Sequence, residues 1–303
     1  MTDTEYAVVD IGSNSLRLMQ GIFKKGQWRF YPKRLATTRL AKGLNESGHL
    51  SPEGIVNSFA VMEEWNRDLQ GIPVCAVATS AVREARDGQA FLAEVRWRFG
   101  WHCRIASGAE EGALSFCGAV STIPAGTVVA VLDIGGGSTE VALGKDGHVT
   151  WSHSYPLGAV RLTAAEQMGI RELKEVRKRC DETWLRQPVK PEKLIGVGGT
   201  LTSLAAIDAR MDVYDPERVD GYVLSKTDLA GCLHRLASMS DGERKHVPGL
   251  MAQRSTIILA GLVIAESYMD YYSIDEITVS ERDLLEGVFY KQAFYDSCRR
   301  YKP

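Results

Sequence analysis

Two periods of apolar and polar residues alternate along the chain, and each predicts a different kind of element. Apolar positions three and four residues apart predict helices, one of which begins after Ser51 with Pro52 in its first turn. Asp87 is predicted to cap the next helix. Apolar runs that alternate, or are short and uninterrupted, predict strands in the first half at residues 6–9, 16–22, 28–31, 74–78 and 103–106.

The second half of the chain repeats this order of strands and helices. Strands are predicted on both sides of a turn that begins at Asp133, and one later helix begins after a Ser225 cap. A long buried helix is predicted at residues 249–272 and a final helix at 284–301. The remaining strands of this half are predicted at 149–154, 193–195 and 277–279.

Strand–helix alternation in both halves predicts an α/β protein with two domains around a cleft. Residues 121–127, which contain Pro124 and Gly126, are the best candidate for a linker. The predicted domains are therefore residues 1–123 and 124–285, and the C-terminal helix, at 286–303, is expected to complete the first domain. A chain of 303 residues is long enough for two hydrophobic cores.

One short motif occurs once in each half. Residues 10–15 (DIGSNS) and 133–138 (DIGGGS) each follow an apolar run and precede alternating residues, which predicts a strand, a tight turn and a returning strand. Such a turn can expose consecutive backbone N–H groups to an anion. The leading residues, Asp10 and Asp133, are placed to meet the hard cation that accompanies a phosphate. Two such turns indicate a duplicated chain that binds phosphate from both sides.

The composition argues against several classes of function. The net charge of −2 gives no overall basic field for nucleic acid. The longest apolar run, residues 257–265, stops at Glu266 and is too short to cross a membrane, and no signal peptide is expected. Six cysteines without a Cys-x-x-Cys pair favour reduced thiols in a cytoplasmic protein, and the scattered histidines argue against a histidine metal site.

Further candidate residues lie where predicted strands end, because ligands of open α/β sheets bind at those edges. Arg83 follows one strand, and its alternative role is that of a surface arginine on a helix. Glu111 begins a helix after another strand; a favourable macrodipole interaction is the stronger explanation for its neighbour Glu110. The glycine cluster at 196–200 fits an anion or nucleotide cradle and close strand–helix packing equally well.

A basic stretch follows the first of the two turns. It can be a solvated loop, or it can guide a polyanion towards the turn, and the sequence favours neither. Its members are Lys33, Arg34, Arg39 and Lys42.

The combined motifs resemble the exopolyphosphatase/guanosine pentaphosphatase (Ppx/GppA) family, within the actin-like superfamily. The pair DIGSNS and DIGGGSTE is highly specific, because sugar kinases and actins share the logic of the turns but not these strings. The resemblance covers the first two-thirds of the chain. It rests on residues 10–17 (DIGSNSLR), 78–85 (ATSAVREA), 107–111 (SGAEE), 133–140 (DIGGGSTE), 157–162 (LGAVRL) and 196–205 (GVGGTLTSLA).

The resemblance implies two ribonuclease-H-like (actin-like) domains, a homodimer, and a Mg²⁺-dependent phosphohydrolase, with Mn²⁺ as a possible substitute. Its substrate would be inorganic polyphosphate or, as second choice, guanosine pentaphosphate. Glu111 is implied as the general base, with Arg83 and Glu140 as further catalytic residues, and Asp10, Asp133 and Glu140 as metal ligands. The implied phosphate-binding residues are Ser13, Asn14, Ser15, Arg17, Arg39, Gly135, Gly136, Gly137, Ser138, Thr139, Gly198, Gly199 and Thr200.

The sequence departs from the family pattern in one extended segment. Residues 280–287 (SERDLLEG) stand where the family expects Ser-Asp-x-x-Leu-Arg-Glu-Gly, so Glu281 and Leu285 replace an aspartate and an arginine. Gly112 also replaces a usual alanine, and the C-terminal helical domain that the family often adds is not expected here. Two other classes of function stay open: an ATPase or kinase that holds adenosine at 196–200, and a sensor that binds polyphosphate or an alarmone without turnover.

Overall fold

The computed structural model describes residues 4–163 and 170–291. The chain divides into two compact units. The first unit is Met1–Leu114 with Leu284–Pro303, and the second unit is Ser115–Asp283.

The division between the units falls within the helix Gly108–Ala119, before the predicted linker at 121–127. Phe116 and Ala119 explain this position, because both side chains pack against apolar residues of the second sheet. Of the C-terminal stretch predicted to complete the first domain, the described residues Leu284, Leu285, Val288 and Phe289 share a hydrophobic cluster with Val8 of the first unit.

The strands form one sheet in each unit. They are β1 (Thr4–Ile11), β2 (Ser15–Lys24), β3 (Gln27–Phe30), β4 (Arg34–Thr37), β5 (Val74–Ala78), β6 (His102–Ile105), β7 (Val128–Ile134), β8 (Thr139–Lys145), β9 (His148–Tyr155), β10 (Lys193–Val197), β11 (Val223–Ser225) and β12 (Glu276–Val279).

Within the described residues, each sheet has six strands. The first has the order β3-β2-β1-β5-β6, with β4 also paired to β2, and the second has the order β11-β12-β10-β7-β8-β9. In both sheets the central strand pairs in parallel on one side and begins an antiparallel run of three strands on the other. The duplication predicted from the two motifs therefore extends to the strand order around β1 and β7.

The helices cover both sheets, and no helix of the described ranges is long and apolar enough to cross a membrane. They are α1 (Leu44–Ser47), α2 (Pro52–Leu69), α3 (Ser80–Glu84), α4 (Gly88–Phe99), α5 (Gly108–Ala119), α6 (Ile170–Thr183), α7 (Gly199–Asp208), α8 (Pro216–Val219), α9 (Lys226–Ala237), α10 (Asp241–Arg244), α11 (Ile258–Tyr271) and α12 (Leu284–Tyr290), with 3₁₀ turns at Val120–Thr122 and Ala252–Arg254.

The first unit buries both faces of its sheet, because side chains alternate across each strand. Val9 and Ala76 lie in one cluster with Met62 of α2. Val8 lies in the opposite cluster with Leu285 of α12. Leu285, which stands where the family pattern has arginine, is therefore a fully buried core residue of this unit.

The second unit follows the same plan. Leu132 of β7 packs in a large cluster with Leu204 of α7 and Leu259 of α11. Val131, its neighbour, faces the other cluster with Phe116 of α5. Both central strands are thus buried on both faces, which fixes the position of the turns that follow them.

Several sequence predictions of secondary structure need correction. The helix predicted at 249–272 begins only at Ile258, because Gly249 has a positive φ of 85° and a 3₁₀ turn intervenes. Asp87 precedes α4 without capping it, since its carboxylate accepts from the Leu50 N–H instead (3.0 Å). The strands β4 and β11 were not predicted. The helix predicted to reach residue 301 spans Leu284–Tyr290, and its remainder from 292 lies outside the described residues.

Candidate functional site

The first turn, residues 10–15, joins β1 to β2. The Gly12 N–H donates to the Ser15 carbonyl (3.1 Å) and closes it. The carbonyls of Ser13 and Asn14 point the other way and accept hydrogen bonds from a loop at residues 38–41, the first backing loop. The donors are the backbone N–H groups of Thr38 and Arg39 to Asn14 (3.1 and 2.9 Å) and of Ala41 to Ser13 (2.9 Å).

The second turn, residues 133–138, is built in the same way between β7 and β8. The Gly135 N–H donates to the Ser138 carbonyl (2.9 Å). Its backing loop, residues 158–161, supplies the donors for the turn carbonyls. These bonds run from Ala159 N–H to Gly135 (2.9 Å), from Val160 N–H and Arg161 N–H to Gly136 (2.8 and 3.0 Å), and from the Arg161 side-chain Nε to Gly137 (2.5 Å).

The second turn presents three consecutive amides on one side. In a planar trans peptide the C=O and the following N–H point in opposite directions. Because the backing loop holds the carbonyls of residues 135–137, the N–H groups of Gly136, Gly137 and Ser138 point away from it. Within the described ranges no backbone hydrogen bond uses these three N–H groups. We name them the anion cradle, since successive amides on a concave turn bind anions.

The two turns carry different charges on their flanking strands. Asp133 lies directly opposite Glu140 in the β7–β8 register, and Asp10 lies opposite Arg17 in the β1–β2 register. Directly opposed residues share one face of a sheet. Arg17 donates to the Asp10 carboxylate from Nε (2.9 Å) and from a terminal nitrogen (2.8 Å). The aspartate of the first turn is therefore in an ion pair, whereas that of the second turn faces another carboxylate.

Serine hydroxyls orient both carboxylates beside the second turn. The Ser115 hydroxyl donates to Asp133 (2.5 Å), and the Ser154 hydroxyl donates to Glu140 (2.6 Å). Glu140 is only 1% exposed.

In the first unit, Arg83 and Glu111 form an ion pair after the ends of β5 and β6. The Arg83 guanidinium donates to the Glu111 carboxylate (2.9 Å) and to the Ala106 carbonyl (2.8 Å). Glu111 is buried, and the adjacent arginine charge compensates for the loss of water around its carboxylate. Glu110 instead accepts from Arg104 and caps its own helix through Ser107, as the macrodipole explanation predicts.

Close packing accounts for the glycines at 198 and 199. Gly198 has a φ of 87°, and a Cβ there would lie 2.9 Å from the Asp133 carboxylate. A Cβ on Gly199 would lie 2.1 Å from the guanidinium of Arg254. No sequence pattern predicts the contact of Arg254 with Gly199, because Arg254 lies far along the chain in a 3₁₀ turn. Phosphate binding by Gly198, Gly199 and the buried Thr200 stays a prediction.

The basic stretch is largely neutralised by nearby carboxylates. Lys33 pairs with Glu286 (2.9 Å), Arg34 with Glu64 and Asp68, and Lys42 with Glu53. Arg39 is exposed and adopts a left-handed φ of 59° in the first backing loop. The solvated-loop interpretation thus fits Lys42, whereas Lys33 and Arg34 are half-buried and Arg34 begins β4. Phosphate binding by Arg39 stays a prediction.

The other histidines, cysteines and carboxylates of the described ranges form no further candidate site. Within the described ranges, no group of three or more His, Cys, Asp or Glu side chains could hold a metal ion. No cysteine of those ranges is in a disulfide, Cys298 lies outside them, and the reduced state of the thiols stays a prediction. Burial raises the pKa of the Cys180 thiol to about 12, which makes it unreactive.

Comparisons with known proteins identify the family of the chain. The model of the Ppx/GppA phosphatase family matches residues 22–295. Exopolyphosphatase 2 of Mycobacterium tuberculosis is 29% identical over 95% of this chain and 98% of its own length. A crystal structure of a Ppx/GppA enzyme from Aquifex aeolicus is 30% identical, covers 95% of this chain and 99% of the other, and has a TM-score of 0.78.

A further solved structure supports the fold alone. The exopolyphosphatase from Cytophaga hutchinsonii is 24% identical, covers 95% of this chain and 97% of its own, and has a TM-score of 0.88. The predicted fold class, with two actin-like α/β domains, is confirmed by these likenesses. From the family model and the full-length likeness we conclude that the chain belongs to the Ppx/GppA phosphatase family, whose members hydrolyse phosphoanhydride bonds.

Proposed function

We propose that this protein is an exopolyphosphatase, which releases orthophosphate from the end of an inorganic polyphosphate chain. In this reaction the oxygen of water bonds to the terminal phosphorus and the bridging P–O bond breaks. The products are orthophosphate and a chain shorter by one phosphate. The observation that carries the proposal is the anion cradle of Gly136, Gly137 and Ser138 beside two opposed carboxylates.

The donor set beside the second turn suits Mg²⁺. This ion commonly binds one or two protein carboxylates, and phosphate oxygens and water complete its octahedron. Asp133 and Glu140 supply two such carboxylates on one face of β7 and β8. Asp10 is the weaker of the three predicted ligands, because its carboxylate is held by Arg17. When bound, the ion would neutralise charge on the phosphate oxygens, and Mn²⁺ could replace it.

The groups of the chain have separate tasks in this proposal. The amides of the anion cradle bind the oxygens of the terminal phosphoryl group and stabilise the charge that they carry. Glu111 orients the attacking water and accepts its proton, and Arg83 holds the Glu111 carboxylate in place. Phosphoryl transfer depends mainly on such positioning and charge stabilisation, so no side chain needs to become phosphorylated.

Guanosine pentaphosphate is the alternative substrate, because its 5′ end carries the same terminal phosphoanhydride. The exposed Arg39 favours the longer polyanion, since it adds a positive charge near the first turn. We further propose a homodimer in the cytoplasm, supported by the family resemblance and by the free thiols of the described residues. Light scattering in solution tests the dimer.

Phosphate release from four substrates tests the proposed function. Medium- and long-chain polyphosphate, guanosine pentaphosphate and ATP are each incubated with Mg²⁺ and the wild-type enzyme or Glu111→Gln. We expect turnover of polyphosphate, and a loss of about 10³-fold in the variant, measured at a temperature where it stays folded because the substitution also weakens the ion pair with Arg83. Turnover of the pentaphosphate alone selects the alternative substrate. Release from ATP alone, or tight binding without turnover, would identify an ATPase or a sensor instead.

A further inference from the structure

The two turns differ in how their last carbonyl is held. In the first turn, the Asn14 carbonyl accepts two backbone N–H groups of the first backing loop, from Thr38 and Arg39. In the second turn, the equivalent carbonyl belongs to Gly137, and the guanidinium of Arg161 donates to it from Nε at 2.5 Å. A side-chain donor therefore holds this carbonyl in the second unit, whereas backbone donors hold the equivalent carbonyl in the first.

The backbone of the same residue also takes part. The Arg161 N–H donates to the Gly136 carbonyl (3.0 Å), so the residue contacts two successive peptides of the second turn. Its neighbour in the loop, Gly158, lies so close that a Cβ would be 2.3 Å from the Gly136 oxygen and 2.4 Å from the Gly137 carbon. Arg161 thus sits on a loop that is pressed against the rear of the anion cradle.

The orientation of one catalytically useful amide follows from this contact. The Gly137 carbonyl and the Ser138 N–H belong to one rigid peptide plane and point in opposite directions. Glycine at position 137, on one side of this plane, allows it to rotate more freely than another residue would. Without a donor behind the Gly137 oxygen, the Ser138 N–H would lose its fixed direction. The other two carbonyls of the turn are held by the backbone and would keep theirs.

We propose that Arg161 is a positioning residue, whose side-chain Nε holds the Gly137 carbonyl so that the Ser138 N–H points at the bound phosphoryl group. This role requires a hydrogen-bond donor at the position of Nε and does not require the positive charge of the guanidinium. The inference rests on the proposed function for the identity of the phosphate compound, but not for the binding of a phosphate anion.

Three substitutions separate the donor from the charge. Gln places an amide N–H₂ where arginine has Nε, and so keeps the donor without the charge. Lys keeps the charge but places a methylene group there, and Met keeps neither. Arg179→Met is the matched control, because Arg179 is an exposed residue of α6 in the same unit and loses the same charge.

Two measurements are made on each variant: steady-state turnover of polyphosphate, and the affinity for orthophosphate by calorimetry. We expect Arg161→Gln to stay within about 3-fold of wild type, and Arg161→Lys and Arg161→Met to lose at least about 10-fold in kcat and in orthophosphate affinity. The KM for long chains should change less, because many phosphates contribute to it. Melting temperatures identify any variant that fails to fold.

Two results would overturn the positioning role. If Lys preserves both measurements while Gln matches Met, the charge acts on the substrate directly. If all three variants match wild type, the Gly137 carbonyl is held without Arg161. Calorimetry keeps the two proposals distinguishable: an enzyme that binds orthophosphate in the expected order but leaves polyphosphate intact supports the positioning role and refutes the exopolyphosphatase function.

Discussion

The two Asp-Ile-Gly turns share a backbone and differ in their charges. Each turn is closed by the same glycine-to-serine bond, and each has its carbonyls held from behind by a loop. Yet Asp10 is in an ion pair with Arg17, whereas Asp133 faces Glu140. The two turns thus share one backbone arrangement, and the described residues place two opposed carboxylates beside the second turn and an ion pair beside the first.

The number of amides that each turn offers differs as well. Within the described ranges, the second backing loop holds three consecutive peptides, whereas the first backing loop holds the two peptides after Ser13 and Asn14. Each amide aimed at developing charge contributes strongly in a site shielded from water. We therefore expect substitutions at the second turn to lower kcat. Substitutions at the first turn should lower the stability of the protein and its affinity for the polyphosphate chain.

Glu140→Gln is expected to have the largest effect on activity. The substitution keeps the shape and can keep the hydrogen bond with Ser154, but it removes one of the two negative charges beside the second turn. Loss of a carboxylate that we propose as a metal ligand should lower kcat by about 10³-fold. Phosphate release from polyphosphate at saturating Mg²⁺ measures this loss of activity. Glu94→Gln, on an exposed helix, is the control and should leave activity intact; an active Glu140→Gln enzyme would contradict the assignment.

Gly158→Ala should have the next largest effect. Its Cβ would press on the Gly136 and Gly137 backbone and tilt the anion cradle. We expect kcat/KM to fall by about 10²-fold and the free energy of unfolding by roughly 1–3 kcal/mol. Gly231→Ala, in α9 with open space around its Cβ position, should instead raise stability by about 0.5–1 kcal/mol. Equal behaviour of the two variants would mean that the second backing loop does not shape the turn.

Substitution of Arg39 is expected to have the smallest effect. Both Arg39→Gly and Arg39→Ala remove an exposed charge that salt screens, so the KM for polyphosphate should rise by only about 2- to 5-fold. Only glycine also relieves the left-handed backbone, which costs about 1 kcal/mol for other residues. Thermal unfolding should therefore rank Arg39→Gly above Arg39→Ala. An identical melting temperature for both would show that the first backing loop stores no such strain.

Hydrophobic periodicity and capping residues predict those strands and helix starts that depend on residues close together in the sequence. The strand Val74–Ala78 was predicted to the residue, and the caps at Ser51 and Ser225 both accept the expected backbone N–H. The helix predicted at 249–272 failed because a left-handed glycine and a 3₁₀ turn do not alter the apolar pattern. Propensity and period therefore placed the elements better than their boundaries.

The charge difference between the turns was within reach of the sequence, but the backing loops were not. A tight turn sets the strand register, so Arg17 had to oppose Asp10 just as Glu140 opposes Asp133. The role of Arg161 depends on a contact with Gly137 across 24 positions of the chain, and that of Arg254 on its packing against Gly199. The hydrophobic periodicity of the sequence does not predict such contacts, because they form only when loops that are distant in the sequence pack together.

The most direct test of the account compares Asp133→Asn with Asp10→Asn during a Mg²⁺ titration of phosphate release from polyphosphate, below both melting temperatures. We predict that Asp133→Asn loses about 10³-fold in activity without loss of stability, because it removes a metal-binding charge. Asp10→Asn should keep most of its activity and its Mg²⁺ requirement, but lose about 1–3 kcal/mol of stability, because it weakens a partly buried ion pair. An inactive, fully stable Asp10→Asn enzyme beside an active Asp133→Asn enzyme would contradict the account.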